Sequence, residues 1–192
     1  MINIINDFYS PSELGLMTLC FLNYNFSSTY QSKEYVFTNR SQAYPCYETD
    51  QMEESEDKLS PYQIFKNTFE SKTNIKILKL QTFLRKTKLE ELKNSAVWKK
   101  DRPHRDSIKY DLAGLIYFNS NCLKDGTNMY NTMTDFEPTA VVGSRVNRCV
   151  FYSTQQPHSP TIDQTVEERW VQPFFIVYKK ETLEKNMESR GT

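Results

Sequence analysis

The sequence predicts a mainly β protein with its helices gathered at the N-terminal end, and two observations carry that class. Aromatic residues make up 14% of the chain, with twelve Tyr and twelve Phe beside only five Gly. Bulky rings in that proportion favour pleated, half-buried faces over a helical bundle. The second observation is order: capping signals and helical spacing come first, and short apolar or alternating runs follow without a βαβ rhythm. Strands of that kind wrap into a sandwich or a jelly roll, whose open mouth brings together side chains distant in sequence.

Each element has its own signal. Ile2, Ile4 and Phe8, with polar Asn3 between the isoleucines, predict a short leading strand. Ser10-Pro11-Ser12-Glu13 supplies a cap, a first-turn proline and an early acid, so a helix is expected from Ser10 to Asn23. The polar, tyrosine-rich stretch from Ser27 to Lys58 is poorly patterned and predicts irregular surface structure with a mobile loop. A lid over the barrel mouth is one role for its part from Ser27 to Tyr47. Ser60-Pro61 repeats the cap signal and opens a second helix that ends near Lys72. Alternation from Ile75 to Leu84 predicts a strand, whereas Thr87 to Asn94 fits a short helix or an outer hairpin equally well. The continuous apolar run Leu112 to Phe118 predicts a central strand covered on both faces. Asp125-Gly126 marks a turn, and Thr127–Tyr130, Ala140–Gly143, Arg148–Thr154 and Trp170–Tyr178 complete the strands. From Glu181 the tail is polar and expected to fray.

Composition narrows the function classes. At 192 residues the chain suits one domain, residues 1–192, with helical support over about 1–74 and a jelly-roll core over about 75–180. Charges balance at 24 against 24, so no global basic field exists to hold a nucleic acid. No apolar run has the length of a membrane span and the first residues lack a leader pattern, so a soluble, cytoplasmic protein is expected. The four cysteines are scattered, which predicts reduced packing thiols rather than a disulfide framework.

The chemistry concentrates on the only two histidines. His104 and Asp106 are spaced so that, in extended backbone, both side chains leave the same face, and His158 is the one histidine left to complete a set of three. Two imidazoles and a carboxylate on one side of an ion leave positions open opposite, the arrangement of non-heme Fe(II) oxygenases. Arg169 opens an apolar, aromatic strand, and bidentate pairing with a small dicarboxylate would justify pointing it inward. Lys99, Lys100, Arg102, Arg105 and Lys109 form a locally basic approach.

These pieces, taken in order, resemble an Fe(II)- and 2-oxoglutarate-dependent dioxygenase of the prolyl-4-hydroxylase-like group. The resemblance rests on Ile4 to Ser10 with its helix, His104-Arg105-Asp106, Leu115-Ile116-Tyr117-Phe118-Asn119, Asp125 to Tyr130, Asn147 to Tyr152, His158 and Arg169. It implies a double-stranded β-helix, iron held by His104, Asp106 and His158, and Arg169 on the distal carboxylate of 2-oxoglutarate. It also implies O2 as co-substrate, succinate and CO2 as co-products, and hydroxylation of a peptide or small molecule. Tyr117 and Tyr130 are candidates for a further 2-oxoglutarate contact by position. The family often carries two glycines where Asp125 precedes Gly126 here, so that loop departs from the pattern.

Two other readings use the same residues. Zinc with a bound water would accept the three ligands and support hydrolysis, although Arg169 has no task there. A non-catalytic binding module would keep His104 and His158 as satisfied core histidines.

Overall fold

The computed structural model describes residues 1–28, 46–94, 103–162 and 167–179. Their elements are β1 (Ile2–Ile5), α1 (Pro11–Asn23), β2 (Ser27–Ser28), β3 (Tyr47–Glu48), α2 (Pro61–Thr73), β4 (Ile77–Thr82), β5 (Arg85–Lys88) and α3 (Leu89–Asn94). Then come β6 (Leu112–Tyr117), β7 (Gly126–Met129), β8 (Ala140–Gly143), β9 (Cys149–Ser153), β10 (His158–Thr161) and β11 (Glu168–Tyr178). An eight-stranded sheet runs β1-β9-β6-β11-β5-β3-β2, with β4 also paired to β11, and a three-stranded sheet runs β10-β7-β8. Every ladder is antiparallel. The molecule is a jelly roll with its two longer helices before the core strands.

Alternation along the strands sorts side chains into two cores. Leu112 and Ile116 of β6, Cys149 and Phe151 of β9, and Phe174 and Ile176 of β11 face the helices and meet Met17, Phe21, Phe65 and Phe69. Ala113 and Tyr117, Val150 and Tyr152, and Val171 face the other way and meet Met129 of β7 and Val142 of β8, so this second core lies between the sheets. Arg169 shares its parity with Val171 and is therefore directed between the sheets as well. Gly114 has to lack a side chain, since a Cβ there would come within 2.4 Å of the Phe174 ring and the Val150 carbonyl.

The helices are held by the residues that announced them. Ser10 caps α1: its hydroxyl accepts from the Glu13 N–H while the Glu13 carboxylate accepts from the Ser10 N–H, the reciprocal capping box. Glu13 also accepts from the Thr68 hydroxyl at 3.2 Å, which ties α1 to α2.

Several expectations change in detail. The undecided stretch from Thr87 to Asn94 divides into the end of β5, which starts at Arg85, and the short α3 from Leu89. β10 had no sequence signal: Pro160 lies inside it, tolerated because β10 is an edge strand. His104 makes a single isolated bridge rather than lying in a strand with Asp106. Residues 29–45, and with them most of the suggested lid, lie outside the described residues. So do Lys99, Lys100 and Arg102 of the basic approach and the tail from Glu181, while Arg105 and Lys109 are exposed. Among the described residues no helix is long and apolar enough to cross a membrane.

Candidate metal centre and its buried arginine

Main-chain hydrogen bonds bring the distant ligand candidates together. The His104 N–H donates to the His158 carbonyl at 2.9 Å, and the His158 N–H donates back to the His104 carbonyl at 3.0 Å. The Asp106 N–H donates to the Thr154 carbonyl at 3.0 Å, so the carboxylate segment is fixed against the end of β9. On the other side, β10 pairs with β7, placing His158 opposite Met129. The result is that one ligand atom from each of His104, Asp106 and His158 lies within 4.8 Å of the others.

Electrostatics decide what this cluster can hold. His158 is 6% exposed, and its Nδ1 lies 2.9 Å from the Gln156 carbonyl oxygen. A carbonyl only accepts, so Nδ1 carries the proton and Nε2 is left with its lone pair. Burial lowers the His158 pKa to about 4, against an opposing effect of the Gln156 hydrogen bond, so the ring is neutral near pH 7. Its Nε2 faces Asp106 Oδ2 at 3.4 Å. With the ring neutral this is no ion pair: the unprotonated nitrogen faces a carboxylate oxygen, and neither is a donor when Asp106 is ionised. Burial also raises the Asp106 pKa, opposed by the charges of His104 and Arg85. A divalent cation between these atoms would remove both penalties, so the donor set fits a metal ion. The His104 ring lies tilted at 4.3 Å between centroids from the His158 ring and that of Tyr152 at 4.6 Å, so both rings pack against His158.

A second polar group is buried between the sheets. Arg169, 3% exposed, has its Nε 3.1 Å from Oδ1 of Asp125, which is 0% exposed. Its Nη2 donates to the Gly126 carbonyl at 3.0 Å, and the guanidinium lies 5.3 Å from the Tyr117 ring centroid. The Nε–H is not aimed along the line to the carboxylate, so charge attraction rather than an aligned hydrogen bond holds the pair.

The tyrosine candidates separate. Tyr117 lies beneath Arg169 with its hydroxyl 2.9 Å from Thr127 Oγ1; burial raises its pKa and the arginine opposes that. Tyr130 instead braces β10, with its hydroxyl 3.0 Å from Ser159 Oγ and its N–H on the Pro157 carbonyl. Three contributors had not been singled out. Asp125 was visible as a departure from the family's glycines, but nothing local named Arg169 as its partner. Arg85 lies close enough to influence Asp106 while its Nε donates to Glu48 at 2.7 Å. Gln156 fixes the His158 tautomer.

No family model and no curated protein matches the sequence. Solved structures do match the fold. A prolyl-4-hydroxylase from Pseudomonas putida superposes with a TM-score of 0.56 at 9% identity, covering 93% of each chain. A 2OG-Fe(II) oxygenase family oxidoreductase from Burkholderia pseudomallei gives 0.57 at 9%, covering 91% of this chain and 84% of that one. A Trichoplax adhaerens prolyl hydroxylase, solved with a hypoxia inducible factor peptide, gives 0.57 at 14%, covering 100% and 87%. The chain therefore has the jelly-roll fold shared by prolyl hydroxylases and other 2-oxoglutarate-Fe(II) oxygenases.

Proposed function

We propose that this protein is an Fe(II)- and 2-oxoglutarate-dependent dioxygenase that hydroxylates an unactivated C–H bond, releasing succinate and CO2. The substrate class we favour is a prolyl residue in a peptide or a small amino-acid-like molecule, in keeping with the prolyl hydroxylases that share the fold. The observation that carries the reading is the neutral His158 Nε2 facing the Asp106 carboxylate at 3.4 Å, an arrangement that asks for a cation.

In this reading His104, Asp106 and His158 would hold the iron, and Arg169 above Tyr117 would receive the far carboxylate of the co-substrate. Iron and the 2-oxo acid together supply the oxidising chemistry, with O2. The chain's own share is orientation and dryness. The reciprocal main-chain pair fixes both histidines, Gln156 fixes the tautomer, and the buried Tyr152 packs against the His158 ring.

The test is succinate formation from 2-oxoglutarate with ferrous iron and a panel of peptides and amino acids. Wild type is expected to turn over and Asp106→Ala to be inactive. Metal affinity unchanged in both His104→Ala and Asp106→Ala would remove the centre and leave a non-catalytic module. Metal binding without any 2-oxo acid binding would favour a zinc-type hydrolase.

A further inference from the structure

Arg169 already has an anion. Asp125 is as buried as any residue in the molecule, and its charge neutralises the guanidinium that the oxygenase reading assigns to an incoming carboxylate. The aspartate has nowhere to retreat. Its N–H donates to the Cys122 carbonyl and its own carbonyl accepts from the Ser144 N–H. The next residue, Gly126, is pressed so tightly on β8 that an added Cβ would lie 2.0 Å from the Val142 carbonyl oxygen. A second carboxylate arriving at Arg169 would put two negative charges on one buried positive charge, and like charges in a dry site oppose each other strongly. An uncharged end would leave the pair neutral. Among the described residues Oδ1 and Oδ2 of Asp125 have no hydrogen-bond partner, so Arg169 is the group seen to offset the aspartate's charge.

We infer that Asp125 is a specificity-determining residue, a resident counter-anion that abolishes the co-substrate site's preference for 2-oxo diacids and admits 2-oxo monoacids equally. The inference rests on the oxygenase reading and concerns the same site.

Calorimetric titration of Mn(II)-loaded protein tests it without turnover, using 2-oxoglutarate and 2-oxopentanoate, which keeps the chain length but lacks the far carboxylate. Wild type is expected to bind the two within about fivefold of each other, and Asp125→Asn to tighten 2-oxoglutarate at least about tenfold while leaving 2-oxopentanoate within about threefold. A wild-type preference for the diacid above about fivefold overturns the inference, and that comparison needs no variant. Equal diacid affinity in wild type and a folded Asp125→Asn also overturns it. If neither acid binds either Mn(II)-loaded protein, the oxygenase reading itself falls and takes the inference with it.

Discussion

The two polar groups at the heart of the molecule are opposites. At the candidate metal centre the Asp106 carboxylate and the unprotonated Nε2 of a neutral His158 face each other at 3.4 Å beside His104, partly open at Asp106. Around Arg169 both charges are supplied by the chain and are sealed from water. Two acceptor atoms that face each other are poised for a cation, whereas a buried cation beside its own carboxylate is already answered. The difference teaches that burial alone does not identify a binding group: compensation has to be examined too.

Breaking the metal centre should have the largest effect. His104→Ala or Asp106→Ala is expected to weaken Mn(II) binding by on the order of a hundredfold or more, read by titration, with little change in unfolding of the metal-free protein. Near-normal affinity in either variant would erase the contrast between the two clusters. Breaking the other cluster should be felt in the fold instead. Asp125→Ala leaves a buried guanidinium without its counter-charge and should lower stability by about 3–5 kcal/mol in urea unfolding. A loss near zero would mean that the arginine finds water on its own. Gly126→Ala, which drives a methyl group into the Val142 carbonyl, is expected to cost about 1–3 kcal/mol and to loosen β7 from β8 in hydrogen exchange.

The smallest effect concerns the helical side of the molecule. Burial pushes the Glu13 pKa up, but hydrogen bonds from Ser10 and Thr68 outweigh it and leave the carboxyl below its ordinary value. The unfolded chain therefore binds the proton more readily, so this contribution is present above the ordinary carboxylate range and disappears as pH falls through the lowered pKa. Glu13→Ala should cost about 1 kcal/mol at neutral pH and less in acid.

What could be read in advance was whatever is encoded locally or by parity. Ser10, Pro11 and Glu13 announce α1 because capping involves neighbours only. The run through Leu112 to Tyr117 announces a central strand because burial on both faces demands apolar residues throughout. The metal candidates were legible because the chain holds only two histidines. β5, reading Arg-Lys-Thr-Lys, was hidden because its partners β3 and β11, not its own composition, make it a strand. β10 was hidden by Pro160. The Asp125–Arg169 pair was hidden for a different reason: each residue stood out in its own segment, but nothing local made one the partner of the other, and only the closing of two sheets brings them together.

The reciprocal main-chain pair between His104 and His158 has a consequence for how the barrel mouth forms. Two ligand candidates are riveted to each other by their own peptide groups, so the main chain rather than loose side-chain ends sets their spacing. The rivet should then govern how quickly that seam opens.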